Sequence, residues 1–263
     1  MQMLKRMTSG SGRRPIITES TFLNADIEFP DPSEVNGDLI AVGGNLSTQT
    51  LISAYRRGIF PWYSDNDPIL WWSLNPRFVI FPGRIHISSS LKKAIRRNTF
   101  ELTLDKAFDM VISGCRDVNR PEQEGTWITD EMREAYIQLH QQGYAHSVEA
   151  WVDGELAGGL YGVSLGGCYY GESMFTRRSD ASKVAFSALT GVLVDSGFGL
   201  IDCQQHTRHL ASFGAVDMLR DKFLNTLSDE LKKPTIRGNW GEVFPDFPDS
   251  VLWRSLGGQV NLR

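Results

Sequence analysis

One carboxylate stands inside an apolar stretch of the sequence. Asp202 follows Leu200 and Ile201 and precedes Cys203, in a run that ends at Gln204 and reads as a short buried strand. Burying a carboxylate costs free energy unless the group is paired or takes part in chemistry. Gln204 lies two residues further along, so a strand would present both side chains on one face. The pattern predicts a catalytic or substrate-orienting role for Asp202, with a purely structural buried hydrogen bond as the alternative.

Two further side chains near this strand are candidates for chemistry. Glu172 lies at the end of a predicted inner strand. From the residues alone, a salt bridge with Arg177 or Arg178 is the interpretation of this carboxylate. Cys203 is a candidate nucleophile, but its side chain would point away from the face of Asp202, and no histidine is tied to it locally.

The spacing of histidines and cysteines does not predict a metal site. The five histidines contain no His-Glu-x-x-His or similar motif. The three cysteines are widely spaced and form no Cys-x-x-Cys pair, which argues against a disulfide framework and a zinc cage. We therefore expect no metal and no cofactor, and a reducing, cytoplasmic setting.

Composition and charge exclude several classes of protein. Hydrophobic residues make up 41% and charged residues 22% of the chain, as in folded globular proteins. The basic N-terminal segment is not followed by an apolar core, and no apolar run reaches the ~18 residues that span a bilayer, so we expect neither secretion nor a membrane partner. The net charge of −4 argues against a protein that coats DNA or RNA through bulk electrostatics. Any RNA contact must be local.

A local basic patch and a group of tryptophans are the candidates for such a contact. Lys92, Lys93, Arg96 and Arg97 fall at helical spacing on one side, where a solvated helix face is the alternative to a phosphate contact. Trp62 lies between a proline and a polar loop and suits stacking on a nucleobase. The neighbouring pair Trp71 and Trp72 is interpreted as a plug at the joint between two domains.

The elements that must position these residues follow from periodicity and turn signals. A short helix is expected after the cap Ser47, and a longer one from Thr129 to Gly143. The remaining elements are strands at 145–152, 156–165 and 168–176, a helix at 182–196 and a strand at 200–204. The order β-β-β-α-β-α is typical of an N-acetyltransferase-like (GNAT-like) core.

These elements predict a mixed α/β (α+β) protein with two domains. We expect a small N-terminal domain at residues 1–77, with a flexible leader at 1–15, and a GNAT-like catalytic domain at 78–235. Residues 236–263 form a C-terminal tail to which the sequence assigns no role.

Nine short blocks, in order from about residue 27 to about residue 225, resemble the leucyl/phenylalanyl-tRNA–protein transferase family. They are Gly43-Gly-Asn-Leu, Arg57-Gly-Ile-Phe-Pro-Trp62, Ile69-Leu-Trp-Trp-Ser73, Gly125-Thr-Trp-Ile-Thr129, His146-Ser-Val-Glu149, Gly158-Gly-Leu-Tyr-Gly162, Gly171-Glu-Ser-Met-Phe175, Ala181-Ser-Lys183 and Ile201-Asp-Cys-Gln204. The resemblance implies a small N-terminal domain before a GNAT-like domain. It also implies transfer of Leu or Phe, with Met as a further candidate, from aminoacyl-tRNA to proteins that begin with Arg or Lys, which marks them for degradation.

The resemblance also implies roles for individual residues. Asp202 and Gln204 would lie near the α-amino group and the reacting ester, and Glu172 would help to hold substrate. Trp62 and Trp127 would sandwich the terminal adenosine of the tRNA, and the patch from Lys92 to Arg97 would grip acceptor-stem phosphates. The aminoacyl side chain would occupy a pocket formed by Leu160, Tyr169, Met174, Leu189 and Ile201. Leu160, Tyr169 and Leu189 depart from the family pattern of Met and Phe, so the preference among Leu, Phe and Met stays open.

Such a reaction needs a neutral amine, because a protonated one has no lone pair, and a free α-amino group titrates near ~7.7–8.0. Two other functions fit the same fold order. One is an acetyl-CoA-dependent N-acetyltransferase, although the stretch from Arg177 to Lys183 lacks the glycines that let backbone N–H groups approach a pyrophosphate. The other is a non-catalytic RNA-binding protein.

Overall fold

The computed structural model of the chain describes residues 22–23, 28–65, 67–118 and 128–259. The strands are β1 Phe22–Leu23, β2 Leu39–Gly43, β3 Phe60–Pro61, β4 Leu70–Trp72, β5 Arg77–Ile80, β6 Glu101–Leu104, β7 Ala145–Val152, β8 Glu155–Leu165, β9 Cys168–Thr176, β10 Leu200–Gln204 and β11 Val216–Met218. The helices are α1 Thr48–Arg56, α2 Ser89–Arg96, α3 Phe108–Arg116, α4 Asp130–Gln141, α5 Ala181–Asp195, α6 Arg208–Ala211, α7 Arg220–Glu230, α8 Trp240–Val243 and α9 Val251–Ser255. A 3-10 turn covers Pro82–Arg84.

The first part of the chain forms a four-stranded sheet in the order β1-β2-β4-β3, with α1 beside it. We call this sheet and α1 the N-terminal unit. The helix begins at the predicted cap, where the Ser47 side chain accepts a hydrogen bond from the Thr50 backbone N–H. Trp71 and Trp72 of β4 are buried in an apolar cluster that this unit shares with the larger sheet, and the Trp71 indole donates to the Gly43 carbonyl.

The larger sheet has seven strands in the order β11-β5-β10-β9-β8-β7-β6. It is mixed, because β9 and β10 pair parallel while the other neighbours pair antiparallel. The predicted bounds of β7, β9 and β10 are those observed, and α4 begins directly after its cap Thr129. The predicted fold class, a small N-terminal unit followed by a larger mixed α/β part, is confirmed.

Two apolar clusters flank the seven-stranded sheet. The first cluster joins residues of the N-terminal unit, such as Tyr55 and Trp71, to Phe223 of α7 and Tyr170 of β9. The second cluster packs α5 and α2 against the sheet and contains Ile201. The N-terminal unit therefore covers one face of the strands that carry the candidate residues. The division at residue 77 stays a prediction.

The C-terminal segment packs onto the large sheet at the side of β6 and β7. The Trp240 indole is fully buried and stacks on the His146 ring, with 3.8 Å between ring centroids. The Trp240 backbone N–H donates to Asp105 Oδ2 at 2.7 Å, and the same carboxylate oxygen lies 2.8 Å from His146 Nδ1. These contacts give residues after 236 a packing role that the sequence left open.

Within the ranges that the structure describes, every helix is too short or too polar to cross a membrane.

Candidate active site

A cavity of about 960 Å³ lies against the C-terminal parts of β9 and β10. Phe60, Pro61 and Trp62 of the N-terminal unit form part of its wall. The first turns of α5 contribute Lys183 and Phe186. The cavity is therefore built where the two sheets and the central helix meet, and a cavity of this size suits a small-molecule group or the end of a larger ligand.

One wall of the cavity is apolar. Four of the five residues predicted for a side-chain pocket line it, namely Leu160, Tyr169, Met174 and Ile201. Leu189 does not line it, although it is fully buried in the second cluster behind this wall. Gly162 leaves room for the Tyr169 ring, because a Cβ there would lie 2.6 Å from that ring.

The cavity is also lined by Glu172 and Gln204, which belong to a network of polar side chains. The Tyr136 hydroxyl donates to Glu172 Oε2 at 3.0 Å, and Gln204 Nε2 donates to Oε1 at 2.8 Å. The Tyr55 hydroxyl is hydrogen-bonded to that of Tyr136. The partners of Glu172 thus come from α1, α4 and β10, and no ion pair with Arg177 or Arg178 is found in the described part of the chain.

The environment of Glu172 changes its acid strength. Burial raises the pKa of this carboxyl from 4.5 to about 7, against the opposing effect of its hydrogen bonds to Tyr55, Tyr136 and Gln204. Burial also raises the pKa values of Tyr55 and Tyr136 well above the usual range, so both tyrosines stay protonated and donate. The site therefore contains a carboxyl that changes charge near neutral pH.

Asp202 lies behind this network and does not line the cavity. Its carboxylate accepts from Arg77 Nε at 2.8 Å and from Nη2 at 2.6 Å, and both side chains are fully buried. The Gln204 backbone N–H also donates to Asp202 Oδ1, at 2.9 Å. Asp202 is thus paired, as the cost of burying a carboxylate requires, and it fixes the backbone of the residue that reaches Glu172.

Gln204 is held in an unusual backbone conformation. Its φ is 60°, and the pairing of β10 with β5 shifts register between Asp202 and Gln204. A left-handed residue and a register shift at a strand end re-aim a side chain, and such features cluster at functional sites. Here they accompany the reach of the Gln204 amide to Glu172.

Comparisons with known proteins assign the family. Residues 79–228 match the model of the leucyl/phenylalanyl-tRNA protein transferase family, and residues 44–75 match the model of its N-terminal domain. The chain belongs to this family. It is therefore an aminoacyltransferase.

Relatives with high identity extend over most of the chain. A leucyl/phenylalanyl-tRNA–protein transferase of Desulfatibacillum aliphaticivorans is 56% identical over 219 residues, which cover 83% of this chain and 94% of that protein. One of Syntrophus aciditrophicus is 55% identical over 226 residues, covering 86% of this chain and 94% of that protein. A solved protein of unknown function from Staphylococcus epidermidis has a TM-score of 0.39 and 10% sequence identity to this chain. The match covers 69% of this chain and 68% of that chain.

Two aromatic positions were expected to bind the terminal adenosine in this transferase family. Trp62 lines the cavity, with its indole edge-on to Trp72 at 6.2 Å between ring centroids. The Trp72 indole donates to the Trp62 carbonyl at 2.7 Å, which fixes the backbone beside the cavity. Trp127 lies outside the described residues.

The basic patch forms a helix, as its spacing predicted. Lys92, Lys93 and Arg96 lie on α2, and Arg97 follows its last turn. Lys93, Arg96 and Arg97 are exposed, and Arg96 Nε donates to the Leu256 carbonyl at 3.2 Å. α2 packs on α5, the helix whose first turns line the cavity. Whether the patch contacts RNA stays a prediction.

The candidate nucleophile is poorly suited to that role. Cys203 lines the cavity, but burial raises the pKa of its thiol well above the usual range, so little reactive thiolate forms. In the ranges described by the structure, no group of three His, Cys, Asp or Glu side chains is arranged to hold a metal ion.

Sequence reasoning missed three residues of this site. Arg77, Tyr55 and Tyr136 contact the two carboxylates from distant parts of the chain. Arg77 lies at the end of the predicted N-terminal domain, and Tyr55 and Tyr136 lie within the two predicted helices after Ser47 and Thr129. The sequence does indicate that a buried carboxylate needs hydrogen-bond or charge partners. It does not indicate which arginine or tyrosine supplies these partners.

Proposed function

We propose that this protein transfers Leu or Phe, with Met as a further candidate, from aminoacyl-tRNA to the α-amino group of proteins that begin with Arg or Lys. One observation carries the proposal beyond the family assignment. A single cavity is lined both by apolar side chains and by the hydrogen-bonded pair of Glu172 and Gln204, and Trp62 lines it as well. Such a cavity can hold an apolar side chain, an ester and an amine together. Transfer to these acceptors would mark them for degradation.

The donor side of the proposal rests on the apolar wall. The wall consists of Leu160, Tyr169, Met174 and Ile201, and Met174 adds a flexible thioether. Such a wall suits a side chain that is not branched at Cβ, such as that of Leu or Phe. Leu189 would support this wall through packing, without contact to the donor side chain. Trp62 would stack on the terminal adenosine together with Trp127, since aromatic faces accept bases without reading their sequence.

The acceptor side rests on the polar network. Gln204 and Glu172 would orient the α-amino group towards the ester carbonyl, and Asp202 would act through the backbone of Gln204. Among the described residues that line the cavity, the carboxylates are Glu172 and Asp180. The negative charge of Glu172 would favour an acceptor that begins with Arg or Lys, whereas Asp180 is paired with Lys183.

The tRNA body would lie along α2. Lys92, Lys93, Arg96 and Arg97 would contact acceptor-stem phosphates, which compensates locally for the net charge of −4. The reaction needs no further cofactor, because the aminoacyl ester is already activated. We place it in the cytoplasm, where charged tRNA is found.

The arrangement before α5 does not support acetyl-CoA as donor. Asp180 sits at the N-cap of α5 with φ 69°, and its side chain accepts from Lys183 at 3.2 Å. A carboxylate at this helix N-terminus repels a pyrophosphate. A purely RNA-binding role is not favoured either, since it leaves the Glu172 network without use.

The test is transfer of radiolabelled Leu or Phe from tRNA to a model protein that begins with Arg. We expect label in acid-stable, protease-sensitive product without added cofactor, and none when the same model protein carries an acetylated N-terminus. An acetyl-CoA arm runs in parallel with the same acceptor. Acetylation without aminoacyl transfer, or consumption of charged tRNA that does not depend on the acceptor, would contradict the proposal.

A further inference from the structure

The two carboxylates of the site differ in what they are able to do. Both oxygens of Asp202 are held by Arg77, and one of them also accepts from the Gln204 backbone. Asp202 is fully buried and does not line the cavity. To accept a proton it would have to give up a buried ion pair and leave the Arg77 charge without a partner. Asp202 is therefore a positioning residue.

Glu172 has the opposite properties. It lines the cavity, and its partners are neutral donors, the Tyr136 hydroxyl and the Gln204 amide. A carboxylate held by neutral groups gains a proton without leaving a buried charge unpaired. Its oxygens are fixed from two sides, by α4 and by β10, so the acceptor amine meets an oriented base.

We propose that Glu172 is the group that takes the proton from the α-ammonium group of the acceptor, and that Tyr136, supported by Tyr55, holds its carboxylate in position. The inference rests on the proposed function, since it names the base of that reaction. It also assigns the N-terminal unit a part in catalysis, because Tyr55 belongs to α1.

The step balances with the groups present. One ammonium proton moves to a Glu172 oxygen and frees the lone pair of the amine. The amine forms a bond to the ester carbonyl carbon, and the bond from that carbon to the ribose oxygen breaks. The second amine proton goes to the leaving ribose oxygen, which completes the hydroxyl of the tRNA. Glu172 then returns its proton to solvent.

The acid strengths of donor and acceptor are matched. Burial raises the pKa of Glu172 to about 7, close to the ~7.7–8.0 of an α-ammonium group. Proton transfer between groups of similar pKa has little uphill cost, which is the condition for efficient general base catalysis near neutral pH.

Groups on every neighbouring element act on this carboxyl. Hydrogen bonds from Tyr55, Tyr136 and Gln204 favour its charged form, and the negative charge of Asp202 disfavours it. Tyr169 on β9 also lies within the electrostatic reach of Glu172. Among the described residues, the other titratable side chains that line the cavity are Tyr161, Asp180, Lys183, Cys203, His206 and His209. Removing one hydroxyl donor should therefore raise the pKa of Glu172.

The first test compares two acceptors with wild-type protein and Glu172→Gln. One is a peptide with N-terminal Arg, and the other is its analogue with an aminooxy group in place of the α-amino group, which is uncharged at neutral pH. We expect Glu172→Gln to be at least ~100-fold slower on the ammonium acceptor and within about tenfold of wild type on the aminooxy acceptor. Equal losses on both acceptors would mean that Glu172 only holds substrate, which would overturn the inference.

The second test keeps the carboxylate and removes one donor. Tyr136→Phe should move the acid limb of the pH profile of kcat upward, because the hydroxyl no longer stabilises the charged form of Glu172. Tyr170→Phe is the matched control, since its buried hydroxyl donates to the Tyr55 carbonyl and does not contact Glu172. Coincident acid limbs of Tyr136→Phe and the control would overturn the positioning role.

The two failures are distinguishable. Wild-type protein that transfers label to neither acceptor would remove the proposed function and this inference with it. Active wild-type protein, combined with equal losses of Glu172→Gln on both acceptors, would remove the inference alone.

Discussion

The Arg77 guanidinium binds both oxygens of the Asp202 carboxylate, at 2.8 and 2.6 Å, in a place with no solvent exposure. The guanidinium lies between two rings, 4.6 Å from the centre of Phe60 and 4.7 Å from that of Phe223. Phe60 belongs to the N-terminal unit and Phe223 to α7. This one ion pair therefore ties the strand that carries Gln204 to both of its neighbouring layers.

Breaking this pair from one side should be costly, whereas removing both charges should not. Asp202→Asn leaves Arg77 buried without a counter-charge, and we expect a loss of ~3–5 kcal/mol in the free energy of unfolding. The double variant Arg77→Met/Asp202→Leu should be more stable than Arg77→Met or Asp202→Leu alone. Stability is measured by urea unfolding. Transfer should fall more than ~10-fold in both Asp202 variants, because neither keeps the Arg77-paired carboxylate that holds the Gln204 backbone.

The exposed pair of Lys106 and Glu101 provides the control. Its atoms are 3.9 Å apart and its side chains are 53% and 49% exposed, so breaking it should cost ~0–1 kcal/mol. If the losses in free energy of unfolding of Arg77→Met and Asp202→Leu simply added up in the double variant, the two charges would not be a coupled buried pair.

The sequence predicted the strands of the large sheet better than it predicted the site. β7, β9 and β10 follow from apolar periodicity and turn residues, which are local signals. The pairing of Asp202 with Arg77 joins residues 125 positions apart, and the bond between Tyr136 and Glu172 spans 36 positions. Such partners are set by sheet order and helix packing, which local patterns do not encode. The strand-face rule also gives no hint of the register shift at Gln204.

The ionisation of Glu172 should be visible in stability. Since folding raises the pKa of this carboxyl from 4.5 to about 7, the folded state binds more protons than the unfolded state between these values. The contribution of Glu172 to stability is therefore fully present at low pH and is lost as pH rises from about 4.5 to about 7. The measurement is the difference in free energy of unfolding between wild type and Glu172→Gln across this range.

We expect the free energy of unfolding of wild type, relative to that of Glu172→Gln, to fall as pH rises and to level off above neutrality. Taking the difference cancels the other titrating groups, including His146, whose pKa is lowered by burial. Parallel curves for the two proteins would contradict the perturbed ionisation of Glu172.

The apolar wall should set the preference among donor amino acids. Leu160→Ala enlarges the cavity beside the donor side chain, so the rate with Phe should rise relative to the rate with Leu. Leu189→Ala is a matched control, because Leu189 is equally buried in the second cluster but does not line the cavity. Both variants should lose ~2–5 kcal/mol of stability. The ratio of Phe to Leu transfer, measured with each charged tRNA, should change only in Leu160→Ala, and a change of similar size in Leu189→Ala would place both residues in the pocket.

Two substitutions should separate binding of the tRNA end from binding of its body. Lys93→Glu/Arg97→Glu reverses two exposed charges on and after α2 and spares Arg96, which bonds the Leu256 carbonyl. It should weaken binding of whole tRNA and reduce the slope of log K against log salt by ~0.7–0.9 for each phosphate that the variant no longer binds. Transfer from a short donor, 3′-aminoacyl adenosine, should be unchanged. Lys222→Glu, which reverses one exposed charge on α7, is the control for a charge reversal outside the patch.

Trp62→Ala should behave differently, because Trp62 lines the cavity and would contact only the terminal base. We expect it to weaken tRNA and the short donor alike, by ~1–3 kcal/mol. If the α2 variant weakens tRNA no more than Lys222→Glu does, the tRNA body does not lie along α2. If Trp62→Ala affects whole tRNA but not the short donor, Trp62 contacts a part of the tRNA other than its terminal adenosine.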